Sequence, residues 1–134
     1  MNQPHLILVI ENDPMFGDLL RTTFEHEGYS AHILSDIVAA IEALQAIKPE
    51  LVLLDYQPPA INSHRLIEHI QAHAALRAIP IIVMSAYQEL PRLLSVYAQA
   101  VLPKPINLNR LLGLIALYLP PEEEGYQREI NRSP

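Results

Sequence analysis

The sequence predicts an α/β domain, a parallel β-sheet covered by helices in a three-layer, doubly wound arrangement. Two observations carry this. Short apolar runs of strand length recur along the 134 residues, and each is followed by a segment with apolar residues at helical spacing. The twelve prolines fall mostly between these runs and punctuate them. Buried strands alternating with amphipathic helices imply right-handed crossovers and a helical layer on each face.

The elements follow in order. Leu6 to Ile10 is a continuous apolar run, as expected of a strand buried on both faces. Glu11-Asn12-Asp13-Pro14 breaks it, and Pro14 suits the first turn of a helix. Phe16, Leu20 and Phe24, with Leu19 and Thr23 beside them, carry that helix to about Glu27, where Gly28 ends it. Tyr29 to Leu34 reads as the second strand. Ser35 or Asp36 caps a second helix with Val38, Ile41, Leu44 and Ile47 on one face, and Pro49 stops it. Leu51 to Leu54 is a third buried strand ending at Asp55. After Pro58-Pro59, Asn62 or Ser63 caps a third helix carrying Leu66, Ile67 and Ile70. Ile81 to Met84 is the fourth strand, ending at Ser85-Ala86. A short helix follows over about Leu90 to Gln99. Val101-Leu102 is a short last strand, in which Pro103 suits a sheet edge. The last helix spans about Leu108 to Leu119, and residues 120–134 read as a charged, flexible tail or linker.

Composition narrows the function. Hydrophobic residues make up 50% and charged residues 18%, which suits one packed domain. No apolar run approaches the roughly 20 residues of a membrane span, and the N-terminus does not read as a signal peptide. The absence of Cys excludes thiol catalysis and thiolate metal sites, and the cytoplasm is the simplest compartment. A formal net charge of −6 argues against direct nucleic-acid binding by this domain.

In a parallel sheet of this kind, ligands sit at the C-terminal ends of the strands. The polar residues expected there are Glu11, Asn12, Asp13, Asp55, Ser85 and Lys104, distant in sequence but each following a strand. Two carboxylates ~5 Å apart at an effective dielectric of ~20 repel by roughly 3 kcal/mol. A hard cation relieves that repulsion, and Mg²⁺ is the natural choice for oxygen ligands. No Gly-rich turn follows the first strand, which counts against a bound phosphate cofactor. With a phosphodonor the cluster makes chemical sense. Asp55 is a carboxylate nucleophile, Lys104 and the cation flank the transferring phosphoryl group, and the Ser85 hydroxyl donates to one of its oxygens.

These residues resemble the receiver domain of two-component response regulators. The matching pieces are residues 7–14, residues 49–55 with Pro59 beyond, residues 81–86 and Lys104-Pro105. The resemblance covers roughly Leu6 to Leu119, nearly the whole of a receiver domain placed at residues 1–119. It implies a flavodoxin-like (βα)5 fold with strand order 2-1-3-4-5, and Asp55 as phosphoacceptor from a sensor histidine kinase or histidine phosphotransfer protein. It also implies Glu11, Asn12, Asp55 and the Gln57 backbone carbonyl as Mg²⁺ ligands, Ser85 and Lys104 as the other active groups, and a cis Lys104-Pro105 bond.

The sequence departs from the family at several points. Asn12 stands where a second acidic ligand is usual, so weaker Mg²⁺ binding and slower phosphorylation are expected. Asp13, as the next residue, is expected to point elsewhere. Val101 stands where an aromatic switch residue is common, and the fourth helix is expected to be short. Tyr87 and Gln57 occupy positions that tune dephosphorylation in the family, and a bulky Tyr87 is expected to lengthen the phosphoryl lifetime. The last two helices carry more apolar residues than one buried stripe holds. That surplus reads either as a homodimer or partner surface or as extra core filling. The alternative to a working receiver is a phosphorylation-independent pseudo-receiver serving as a binding or dimerisation module. An aspartate-nucleophile phosphatase is disfavoured, because Gln57 replaces the acid/base Asp such enzymes use. His69 and His73 have the i,i+4 spacing of a two-imidazole metal pair. With no third ligand evident, a solvated helix face is the expected reading.

Overall fold

The computed structural model describes residues 3–120, and the expected tail lies, from residue 121 on, outside the described residues. Five parallel strands form one sheet of order β2-β1-β3-β4-β5. They are β1 (Leu6–Ile10), β2 (Ser30–Leu34), β3 (Leu51–Asp55), β4 (Ile81–Ser85) and β5 (Ala100–Pro103). The helices between and after them are α1 (Pro14–His26), α2 (Ile37–Ile47), α3 (Ile61–Ala72), α4 (Arg92–Tyr97) and α5 (Leu108–Tyr118). Alternate residues of the central strands feed two separate cores, as a period of two requires. Leu8, Ile10, Val52, Leu54, Ile81 and Val83 pack against α2, α3 and α4. Ile7, Val9, Leu51, Leu53, Ile82 and Met84 pack against α1 and α5.

The helix ends have identifiable causes. Asp13, Asp36 and Asn107 each accept a backbone N–H at the start of α1, α2 and α5. Gly28 follows α1 at φ 91°, a conformation that a Cβ would strain. Lys48, not Pro49 alone, ends α2 by turning left-handed at φ 51°.

Three local expectations are corrected. Val38 is exposed, and Ile37 and Ala40 join Ile41, Leu44 and Ile47 on the inner face of α2. α3 starts before Asn62 and Ser63. The Ser63 hydroxyl is buried in the first turn and donates to the Ala60 carbonyl (2.8 Å) instead of capping. α4 has six residues, shorter than the span from Leu90 to Gln99. Beside α1, Leu19 is exposed.

The apolar surplus of the last helices divides between the two readings. Leu111, Ile115, Leu119 and Leu94 are buried, and Leu90, Leu93, Leu112 and Leu114 pack against the cores. Val96, Tyr97, Val101, Leu117 and Tyr118 remain exposed, Leu117 at 76%. No helix among the described residues is long and apolar enough to cross a membrane.

Candidate functional site

Parallel strands all end at one edge of the sheet, so residues that follow strands in sequence become neighbours in space. Backbone hydrogen bonds fix each of them. The Glu11 N–H donates to the Leu34 carbonyl, the Tyr56 N–H to Met84 and the Lys104 N–H to Ser85, each at 2.9 Å. The site residues are thus held by the sheet ladder itself, and Lys104–Pro105 is cis as expected. An open cleft of about 470 Å³ forms over this edge, lined by Glu11, Asn12, Asp13, Asp55, Gln57 and Lys104, with Phe16, Pro105 and Ile106 on its flank.

Asp55 is the centre of the arrangement and is 6% exposed. Its Oδ1 lies 2.5 Å from Lys104 Nζ in an ion pair whose lysine end is 27% exposed. Its Oδ2 accepts from the Gln57 side-chain amide at 3.0 Å. Glu11, 4% exposed, stands beside it. The Glu11 carboxyl is pushed from 4.5 up to about 7, first by burial and then by the neighbouring Asp55 carboxylate. The Asp13 amide, donating to Glu11 Oε2 at 3.1 Å, and the Lys104 ammonium oppose that rise.

Asn12 is exposed, and both it and Asp13 line the cleft, but the Asp13 carboxylate is engaged by the start of α1. The Asp13 carboxylate accepts from the Met15 N–H at 3.0 Å and caps α1. The Ser85 hydroxyl is buried and faces its own loop. It accepts from the Tyr87 N–H at 2.9 Å and donates to the Tyr87 carbonyl at 3.0 Å. Val101, at the start of β5, is 42% exposed.

The donor set suits a hard cation. The oxygens that line the cleft belong to carboxylates and to the Asn12 and Gln57 amides. Glu11 Oε1 is buried without a hydrogen-bond partner. A crowded carboxyl pair with an orphaned oxygen is what a divalent cation would satisfy. The set is one charge short, since no three His, Cys, Asp or Glu side chains gather around one point among the described residues.

Two features were missed from sequence. The Gln57 side chain, expected only to tune dephosphorylation, hydrogen-bonds Asp55 directly. The Tyr56 ring is buried and meets the Tyr87 ring edge-on at 5.9 Å. A Tyr in the residue after a buried strand was the available signal for the second.

The sequence model of the response regulator receiver domain matches residues 7–116. A curated relative, the regulator of RpoS of Escherichia coli strain K12, is 31% identical over 128 residues, covering 90% of this chain. The chain spans about 37% of that relative's length. The polar-differentiation response regulator DivK of Brucella anthropi is 24% identical, covering 87% of this chain and 97% of that protein. Among solved structures, the receiver domain of a sensor histidine kinase from Pseudomonas aeruginosa superposes with a TM-score of 0.75 at 20% identity. It covers 87% of this chain and 98% of its own, and was solved with magnesium coordinated in its active-site cleft. A chemotaxis response regulator of Vibrio cholerae superposes with a TM-score of 0.76 at 16% identity, covering 87% of this chain and 99% of its own.

Proposed function

Because the chain belongs to the response regulator receiver family of two-component signalling, we propose that Asp55 is its phosphoacceptor. The donor is a sensor histidine kinase or a histidine phosphotransfer protein. The observation that carries this reading is the Asp55 environment: a buried carboxylate at a strand end, paired with Lys104 and next to a crowded second carboxyl.

An Asp55 oxygen attacks the phosphorus of a phosphoimidazole. The P–N bond breaks, and the imidazole leaves with the bond's electron pair and takes up a proton. Both Asp55 oxygens are engaged at rest, by Lys104 and by Gln57. Lys104 moves its charge onto the incoming phosphoryl oxygens, which frees Oδ1 and offsets the charge on the transferring group. Glu11, Asn12, Asp55 and the Gln57 carbonyl would hold Mg²⁺, which supplies charge neutralisation of the phosphoryl oxygens when bound. Ser85 leaves the Tyr87 carbonyl to donate to the phosphoryl group. The new charge and the displaced loop then bias the surface formed by α4, β5 and α5. Its exposed Val96, Tyr97, Val101, Leu117 and Tyr118 support a homodimer or partner surface there.

Intact-protein mass after incubation with Mg²⁺ and acetyl phosphate or phosphoramidate tests the reading. A single phosphoryl adduct on the wild type, absent from Asp55→Asn, is expected. Asn12→Asp should form the adduct faster at a given Mg²⁺ concentration. Asn12 itself favours the second reading, a pseudo-receiver that binds partners without phosphorylation. No adduct with either donor at high Mg²⁺, in wild type and Asn12→Asp alike, would select it.

A further inference from the structure

The third helix carries a histidine pair that phosphotransfer does not use. His69 lies in the last turn of α3 and His73 caps its end. α3 runs back from the Asp55 edge, so the pair sits toward the opposite edge of the sheet. The two rings face each other with centroids 4.4 Å apart and planes tilted by 39°. His73 Nδ1 lies 2.7 Å from the His69 carbonyl oxygen. That oxygen only accepts, so Nδ1 donates, and in the neutral ring the lone pair is left on Nε2. An imidazole anchored through one nitrogen on a backbone carbonyl, with the other nitrogen free, is oriented as metal-binding histidines are. His69 Nε2 is buried and has no hydrogen-bond partner; His64 Nε2 on the same helix is also unpartnered, but only His69 has a second imidazole, His73, against it. A buried ring nitrogen without a partner is available to a ligand that accepts its lone pair.

We propose that His69 and His73 chelate a divalent late first-row transition ion through two imidazole nitrogens, at a site separate from the acidic cleft. Two imidazoles meeting one ion at ~2.0–2.1 Å place their centroids roughly 4.5–5 Å apart. The observed 4.4 Å therefore needs only a small adjustment. Imidazole ligands select Cu²⁺, Ni²⁺ and Zn²⁺ over Mg²⁺. An open groove of about 670 Å³ lies beside His73, lined also by Gln45 and Leu76 though not by His69, and leaves room for waters on the His73 side of the ion. Lys48 lines the same groove. Its ammonium weakens every dication alike, and the order of imidazole affinity makes Cu²⁺ the ion bound most tightly.

The test adds one equivalent of Cu²⁺ to the untagged full chain and reads electron paramagnetic resonance together with a calorimetric titration. Wild type should bind one Cu²⁺ with the hyperfine pattern of two imidazole nitrogens. Millimolar Mg²⁺ should not displace it. His69→Gln and His73→Gln should each remove the two-nitrogen pattern and weaken binding by about tenfold or more, because the chelate is lost. His64→Gln should bind as wild type does. Circular dichroism of each variant separates a lost ligand from a lost fold. Undiminished affinity in both His69→Gln and His73→Gln, displacement by Mg²⁺, or no saturable uptake would overturn the proposal.

Discussion

Replacing Glu11 with Gln should stabilise the protein at alkaline pH and leave it unchanged in acid. Burial pushes the Glu11 carboxyl from an ordinary value of 4.5 up to about 7 in the folded chain. A carboxyl whose folded pKa is raised binds its proton more tightly in the native state. Its contribution is therefore fully present below 4.5 and is lost as pH rises toward 7. At ~1.36 kcal/mol for each pH unit, the loss in a dry site would be about 3 kcal/mol. The cleft is open, and its water screens part of the repulsion from Asp55, so about 2 kcal/mol is expected. Gln keeps the size of the side chain and an oxygen for the Asp13 N–H, but it never ionises. Urea unfolding of both proteins in metal-free buffer from pH 4.5 to 8.5 measures the effect. The curves should coincide at the acid end and separate by about 2 kcal/mol at pH 8, equivalent to roughly 6–10 °C in Tm. Histidine titration is common to both proteins and cancels in the difference. Saturating Mg²⁺ at pH 8 should stabilise wild type more than the variant, because the ion binds the ionised pair. Parallel curves, or a Gln variant less stable than wild type at pH 8, would refute the reasoning. Either result would mean that Lys104 and the Asp13 amide already outweigh burial at Glu11.

The other perturbations test neighbouring links. Lys104→Met removes the ammonium that pairs with Asp55 and pulls the Glu11 carboxyl down. With the lysine partly exposed, about 1–2 kcal/mol should be lost at pH 8 and less at pH 5. Equal losses at both pH values in urea melts would contradict the pull of Lys104 on Glu11. Tyr29→Phe deletes the buried hydroxyl that donates to the Leu119 carbonyl at 2.7 Å and ties the end of α5 to the start of β2. Leaving that carbonyl unpaired should cost about 1–2 kcal/mol in chemical denaturation. An unchanged midpoint would mean that water takes the place of the hydroxyl.

The parts legible in sequence share one property: they depend on periodicity or on local hydrogen bonding. The central strands read clearly because they are buried on both faces and therefore continuously apolar, as in Leu51-Val52-Leu53-Leu54. Asp36 was recognisable as a cap because its carboxylate reaches only three residues ahead, to the Ala39 N–H. Asn62 and Ser63 misled for the same local reason. A short polar side chain can cap a helix from outside or bond back into its first turn, and only the path of the chain after Pro59 decides which. Val38 misled because Ile37 and Val38 fit a helical stripe equally well, and the sheet chooses between them. The site itself was legible because parallel strands must end together. The orientation of its side chains was not, since the Gln57–Asp55 contact and the Tyr56–Tyr87 pair are set by rotamers and packing that leave no periodic trace.

The Ser85 arrangement connects these side-chain details to switching. Its hydroxyl donates to and accepts from the Tyr87 backbone, so under the proposed phosphorylation a bond donated to a phosphoryl oxygen would cost the one it donates to the Tyr87 carbonyl. Tyr87 is then released at its carbonyl, while its ring remains in edge contact with the buried Tyr56, the residue directly after Asp55. In a chain with Val at position 101, there is no ring on β5 to follow the hydroxyl inward. The displacement has one short covalent route out of the site: through the residues after Ser85 into α4, whose six residues end in the exposed Val96 and Tyr97. A short helix held by one fully buried side chain, Leu94, is a weak anchor for the loop that precedes it. The same truncation that removes a helical turn therefore lowers the resistance of this surface to a shift in its neighbouring loop.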